Sequence, residues 1–186
     1  RLWQPAGKAA ATLDGSAQPV TAVGMQAAGR TIVSADAAGK VRVWNPVAGP
    51  ALSELGAHAG AVTGVAWHPS LPQFATSGAD GLVKIWQLPV VPAKALPVHA
   101  QEAQEVAVSS DGKFVVSAAE DASVRVIDPA TAKVTLELKG QTGAVRSLML
   151  SADNAQILTA SADGSLRIWK SADGTDLGTV TGTEVP

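Results

Sequence analysis

Five short β-rich runs recur along the 186-residue chain, each closing on a large apolar residue. They are Arg1-Leu2-Trp3, Val41-Arg42-Val43-Trp44, Val83-Lys84-Ile85-Trp86, Val124-Arg125-Val126-Ile127 and Leu166-Arg167-Ile168-Trp169. Their closing residues stand 41, 42, 41 and 42 positions apart, a register that chance does not keep through four intervals. A unit of this size cannot bury its apolar face alone and needs like neighbours stacked beside it.

Other positions keep the same register. Nineteen residues before each closing residue stand Met25, Trp67, Val108 and Leu150, and ten before it Ser34, Thr76, Ser117 and Thr159. Twenty-eight before it stand Ser16, His58, His99 and Gln141. Turn-forming triplets separate the apolar runs, as in Ala79-Asp80-Gly81, Ser110-Asp111-Gly112 and Ala162-Asp163-Gly164. In such turns Asp bonds to nearby backbone and Gly supplies positive φ. The second repeat divides into four short strands near Ala61–Trp67, Gln73–Ser77, Leu82–Gln87 and Ala93–Leu96, and no stretch carries helical periodicity. A four-stranded unit at this period predicts an all-β chain: a β-propeller of four-stranded antiparallel blades, about four per chain. The whole of 1–186 reads as one segment, with the end of a preceding blade at 1–14 and repeats at 15–56, 57–97, 98–139 and 140–186.

These residues resemble the WD-repeat family, and the resemblance covers essentially the whole chain. In that family the third strand ends on Trp-Asp, a Gly-His precedes the first strand, and an Asp sits in the turn before the third. Here the third strands end Trp44-Asn45, Trp86-Gln87, Ile127-Asp128 and Trp169-Lys170, so the dipeptide has degraded while its slot and spacing hold. The resemblance implies a hydrogen-bonded structural network in each blade. The second repeat has all four members: His58, Thr76, Asp80 and Trp86. The third has His99, Ser117 and Asp121 with Ile127 in place of Trp; the fourth has Thr159, Asp163 and Trp169 with Gln141 in place of His. The first has Ser16 and Ala38 in the His and Asp slots and is expected to be the least rigidly locked. The function implied is a non-catalytic, protein-binding scaffold.

Charge and composition remove other classes. A net charge of −2 without a dense Lys/Arg run argues against nucleic acid as a partner. Apolar runs are cut by Gly, Pro, Asp or Lys, so no membrane span or membrane partner is expected, and the opening shows no secretory leader. The opening lacks a Met, and Arg1 is accordingly expected not to be the native start. Without cysteine there is no disulfide, thiol chemistry or Cys-bound metal, and the compartment stays open.

A His, an Asp and a hydroxyl in one repeat (His58, Asp80, Thr76) invite a hydrolase reading. The trio recurs in degraded form in neighbouring repeats, as a structural device does and a single catalytic site does not. A channel site is the weaker enzymatic alternative. The innermost strands Val20-Thr21-Ala22-Val23, Val62-Thr63-Gly64-Val65 and Val106-Ala107-Val108 bring no converging His or carboxylate to it. His58, His68 and His99 lack metal-ligand spacing, and the Asp-Gly turns lack a calcium loop's dense acidic pattern. Gly78 and Gly81 read as turn glycines rather than a phosphate cradle, and His68 as a surface-loop residue. No enzyme activity, cofactor or metal is expected. Trp3, Trp44, Trp86 and Trp169 share one slot and read as inter-blade packing, with Trp67 in a first-strand core slot.

Positions that vary between repeats are the candidates for partner contact. The slot before the turn Asp holds Ala37, Ala79, Glu120 and Ala162; twenty-three before the closing residue stand Thr21, Thr63, Gln104 and Arg146. In the family these positions border the face where partners dock. Glu120, Arg146, Gln104 and Thr63 are therefore singled out for a protein or peptide partner, against the plainer reading of solvated side chains. Leu88-Pro89-Val90-Val91-Pro92, with Pro97 beyond, reads as a stiff connector on the opposite face.

Outer strands outnumber blades, with candidates at Lys8–Leu13, Pro50–Leu55, Ala93–Leu96, Lys133–Leu138 and Thr175–Val180. The first and last are candidates to compete for the fourth blade's edge, or to pair with another chain. Four blades of this type span about half a circle and leave two apolar faces open. The expectation is that two chains close an eight-bladed ring as a homodimer, with the missing blades of a longer chain as the alternative.

Overall fold

The computed structural model describes residues 2–3, 9–27, 29–46, 50–88 and 94–181. Two short strands come first, β1 (Leu2–Trp3) and β2 (Ala9–Ala11), paired with each other. Four sheets follow. The first is β3 (Val20–Met25), β4 (Ile32–Asp36), β5 (Lys40–Trp44) and β6 (Ser53–Gly56). The second is β7 (Val62–Trp67), β8 (Gln73–Gly78), β9 (Leu82–Gln87) and β10 (Lys94–Pro97). The third is β11 (Ala103–Val108), β12 (Val115–Ala119), β13 (Val124–Asp128) and β14 (Lys133–Leu138). The fourth is β15 (Val145–Leu150), β16 (Gln156–Ser161), β17 (Ser165–Lys170) and β18 (Asp176–Thr181). Each is an antiparallel meander, and no helix occurs among the described residues. These are four propeller blades, and they do not close into a ring.

Strand bounds in the second blade fall within one residue of those read from the sequence. The outer strand expected at Pro50–Leu55 begins only at Ser53, and of Lys8–Leu13 only Ala9–Ala11 is strand, with Lys8 outside the described residues. β18 completes the fourth blade by pairing with β17, while β2 pairs with β1, so the two do not compete for one edge. Residues 89–92 of the Pro-rich connector, and the side chain of Trp3, also lie outside what the structure describes.

The core lies between blades, not within them. Val33, Ala35, Val41 and Val43 of the first blade cluster with Val62, Phe74 and Trp86 of the second. Ala75 and Val83 of the second meet Val106, Val115 and Ile127 of the third. Val116, Ala118, Val124 and Val126 of the third meet Val145, Leu148, Ile157 and Trp169 of the fourth. The same register positions build all three junctions, which is why a repeat that is marginal alone is stable in a stack. Burying one such side chain contributes about 1.5–3 kcal/mol. Trp44, Trp86 and Trp169 are all buried.

One turn position shows how tightly the blades approach. Gly39, Gly81 and Gly164 stand in one repeat slot with φ of +80°, +73° and +79°. A Cβ on Gly39 would lie 2.1 Å from the backbone oxygen of His58 in the next blade. The third blade has Ala122 in this slot, at φ 61°.

Candidate functional site

The second blade holds a directed chain of hydrogen bonds. Trp86 Nε1 donates to Thr76 Oγ1 at 3.0 Å. The Thr76 hydroxyl lies 2.8 Å from His58 Nε2, and His58 Nδ1 lies 2.8 Å from Asp80 Oδ1. With Asp80 as acceptor, His58 carries its proton on Nδ1 and accepts from Thr76 through Nε2. Asp80 also accepts from the backbone of Ala59 at 3.0 Å and Leu82 at 3.2 Å, tying the approach to the first strand to the turn before the third. Burial pushes the His58 pKa below its ordinary value, outweighing the pull of Asp80, so the ring is neutral. Gly78 is the last residue of β8 and not a turn glycine. A Cβ there would sit 2.3 Å from His58 Nδ1, so its bare backbone makes room for the ring.

The third and fourth blades keep parts of this chain. His99 Nε2 lies 2.7 Å from Ser117 Oγ, but Ser123 stands between His99 and Asp121, 2.8 Å from His99 Nδ1 and 2.5 Å from Asp121 Oδ1. Burial, with Arg125 adding to it, pushes His99 down to about 4. Ile127 is fully buried where the Trp would stand. In the fourth blade Trp169 Nε1 and Gln141 Nε2 both donate to Thr159 Oγ1, at 2.9 and 2.6 Å. Gln141 does not reach Asp163, and its Oε1 is buried without a partner. Asp163 accepts from the backbone of Thr142 and Ser165, each at 2.9 Å.

The first blade departs from the expectation of a loosely locked unit. Trp44 Nε1 donates to Ser34 Oγ at 2.8 Å, as the indoles of the second and fourth blades do to Thr76 and Thr159. The turn carboxylate, however, comes from Asp36, two positions before the slot that Ala38 fills. Asp36 Oδ1 accepts from the backbone of Ala38 and Lys40, each at 3.0 Å, and Oδ2 accepts from Arg42 Nη1 at 2.7 Å. Ser16 donates to the same Oδ2 at 2.9 Å. Burial alone would raise the Asp36 pKa, but Arg42 and the backbone donors outweigh it and hold the carboxylate ionised. A buried ion pair thus does the work of the absent His and turn Asp. Sequence reading by fixed slots missed it. The available signal was the basic residue two before every closing residue, Arg42, Lys84, Arg125 and Arg167.

At the inner end of each blade the ladder is interrupted at one slot. β-Bulges fall between Val20 and Ala22, Val62 and Gly64, Ala103 and Glu105, and Val145 and Ser147. The bulged residues are Thr21, Thr63, Gln104 and Arg146, and a bulge re-aims the side chain it carries. Thr21 donates to the backbone oxygen of Val62 at 2.5 Å, and Thr63 to that of Ala103, each bridging to the next blade. Arg146 instead turns back to Glu120 of the third blade, Nη1 to Oε1 at 2.9 Å, in an exposed ion pair. Of the bulged residues, Thr21 and Thr63 are therefore blade-to-blade ties, Arg146 belongs to a charged pair, and Gln104 belongs to neither group.

His68, expected on a surface loop, is buried. Its Nδ1 accepts from the backbone of Ser70 and Leu71 at 3.2 and 2.9 Å, and a Cβ on Gly112 of the third blade would collide with its ring. It packs between the loops that join the first strand to the second in the second and third blades. Among the described residues no group of three or more His, Asp or Glu side chains is placed to hold a metal ion.

Comparison with known proteins finds the WD domain, G-beta repeat family model four times, over residues 7–45, 49–87, 91–128 and 132–170. Each match starts at an outer strand and ends with the third strand of the following blade, so 49–87 takes in β6 to β9. The covalent unit thus straddles two blades. Among curated relatives, human WD repeat-containing protein 36 is 28% identical over 156 residues, covering 80% of this chain and 17% of that protein. The rice (Oryza sativa subsp. japonica) small ribosomal subunit protein RACK1y is 36% identical over 150 residues, covering 75% of this chain and 44% of that protein. Rat (Rattus norvegicus) striatin-3 is 29% identical over 151 residues, covering 69% and 18%. The chain spans less than half the length of each of these relatives.

Proposed function

The chain belongs to the WD-repeat family, and from that premise we propose that it is a non-catalytic scaffold whose bulged rim holds a protein or peptide partner. The observation that carries this reading is the repeated bulge: one backbone device presents Thr21, Thr63, Gln104 and Arg146 at equivalent places on successive blades. A fixed frame with changing side chains suits recognition. Arg146 and Glu120 are the charged members, with side chains 54% and 35% exposed. An exposed pair of this kind contributes little to folding, so its charges are free to be re-partnered by a ligand. Gln104 and Thr63 continue the rim from Glu120 toward the second blade.

Against catalysis stands the burial of the one triad-like constellation. Thr76, His58 and Asp80 have the connectivity of a nucleophile, base and orienting acid, but Thr76 is fully buried and also accepts from Trp86. No substrate carbonyl reaches that hydroxyl.

Selection from a random peptide display library tests the proposal. Peptides selected on the wild-type chain should lose binding when Glu120 and Arg146 are exchanged (Glu120→Arg with Arg146→Glu), with no change in the unfolding midpoint. Selected peptides that bind the exchanged variant as well as the wild type would refute the rim as the partner site.

A further inference from the structure

The variable rim slots carry charge only where the third blade meets the fourth. The first and second blades have Ala37 and Ala79 in the slot that Glu120 fills, and their bulged residues, Thr21 and Thr63, commit their hydroxyls to the next blade. In the third blade, which has a neighbour on both sides, the Glu120 N–H donates to the Glu102 carbonyl at 2.9 Å. The two glutamates therefore stand opposite each other where the ladder of β11 and β12 ends. Like charges opposite one another on paired strands repel. Arg146 of the fourth blade offsets one of them through its Nη1 bond to Glu120, while the Glu102 carboxylate has no hydrogen bond or ion pair among the described residues. Glu105, farther along β11, is already engaged, accepting from the backbone of Leu148 at 2.7 Å.

Of the paired charges, Glu120 is the placed member and Arg146 the movable one. The residue after Glu120 pins its turn: Asp121 Oδ1 accepts from the backbone of Ser123 at 3.0 Å, and Oδ2 from that of Ala100 at 2.9 Å. Arg146 reaches across from the next blade on a longer side chain that is 54% exposed, against 35% for Glu120, and only its Nη1 has a partner among the described residues. An exposed pair of this kind is held weakly. A cation arriving from outside finds a carboxylate already positioned and a second, unpaired one beside it. An acidic group approaching Arg146 meets those same two carboxylates and is repelled.

We infer that Glu120, with Glu102 beside it, seats a basic side chain, Arg or Lys, of the protein or peptide partner, and that Arg146 is the internal occupant this side chain displaces. The inference rests on the rim as the partner site and adds the chemistry that the partner must bring. Arg146 then acts as a competitor: in the free chain it covers Glu120, and a ligand that binds must first outbid it. Displacement is local, because Arg146 swings on its own side chain while the backbone that carries Glu120 stays tied through Asp121.

Peptides selected on the wild-type chain from a random display library are the probe, with their affinities read by fluorescence anisotropy on Glu120→Gln and Arg146→Gln. The two substitutions should act in opposite directions. Glu120→Gln should weaken binding at least about ten-fold, since it removes the carboxylate that pairs with the ligand. Arg146→Gln should tighten binding by about 1.5- to 5-fold, the range that follows from the strength of an exposed ion pair that no longer has to be broken. Exchanging the peptide's own Arg or Lys for Gln should reproduce the loss seen with Glu120→Gln. Unchanged urea midpoints will verify that both variants fold. Peptides that depend on an acidic residue, or that fail to bind Arg146→Gln more tightly, overturn the inference; if they still respond to either substitution, the rim stands as the partner site. Peptides indifferent to both substitutions, or a library that yields no binder, overturn the rim reading and this inference with it.

Discussion

Arg42 donates to Asp36 across 2.7 Å with both side chains withdrawn from water, at 5% and 1% exposure. In the first blade this pair replaces the His–Asp link that the second blade makes between His58 and Asp80. The two devices share one result: a carboxylate fixed at the end of the second strand or in the turn after it, accepting from turn backbone. They differ in charge, since the first blade buries two formal charges and the second a neutral ring beside an anion.

Removing Arg42 strands the Asp36 carboxylate, whereas Arg42 also donates to Glu54 at 2.8 Å and keeps that partner when Asp36 is lost. Arg42→Met is expected to cost about 3–5 kcal/mol, the usual range for an uncompensated buried charge. Asp36→Ala combined with Arg42→Met should recover a large part of that loss, because neither charge is then left alone. Urea unfolding of the two variants decides it, and a loss below about 1 kcal/mol for Arg42→Met would contradict the buried-pair account.

Thr76 is the shared node of the second blade, donating to His58 and accepting from Trp86. Thr76→Val keeps the shape and orphans both nitrogens at once, for an expected cost of about 2–4 kcal/mol. Ser117→Ala orphans only His99, because Ile127 brings no indole to that blade, and about half the cost is expected. Equal losses in the two variants would show that the indole bond contributes nothing.

The repeat period made the blades, their strand bounds and the Trp slot legible, because inter-blade packing repeats with the covalent unit. Local chemistry was legible only where it stayed in its slot. His58, Thr76, Asp80 and Trp86 did; Asp36 moved two positions and was invisible to a slot-by-slot reading until its distance to Arg42 was known. Gly78 and His68 were misplaced for a related reason. What fixes each is a neighbour distant in sequence, the His58 ring over Gly78 and Gly112 of the next blade against His68. Long-range contacts of that kind leave no local pattern.

Ala122 pays a backbone cost that three blades avoid with glycine. Left-handed φ costs a non-glycine residue about 1–2 kcal/mol, and glycine's extra unfolded-state freedom returns about 0.5–1. Ala122→Gly should therefore stabilise the chain by about 0.5–1 kcal/mol by that difference. Gly164→Ala, with open space around its missing Cβ, should destabilise it by a similar amount through φ alone. Thermal unfolding of both variants reads the two signs, and the same sign for both would refute the strain argument.

Acid sensitivity should trace to the buried histidines. His99 titrates at about 4 in the folded chain, because burial and then the nearby Arg125 charge disfavour its protonated form, against an ordinary value of 6.5. Between those values the unfolded chain binds a proton that the folded chain does not, so stability falls as pH falls. The slope reaches about 1.4 kcal/mol per pH unit for one such group. The His99 contribution is complete above pH 6.5 and lost by about pH 4. His58 is shifted in the same direction and adds to it. The carboxylates Asp80, Asp121 and Asp163 are all held below their ordinary value, so their loss belongs to more acidic conditions. Gln141 shows that a glutamine side chain fits the histidine slot and bonds the strand hydroxyl. His99→Gln should accordingly flatten the stability profile between pH 6.5 and 4 while leaving the loss at lower pH in place. Urea midpoints measured across that window provide the check, and a profile as steep as the wild type would assign the acid sensitivity to other groups.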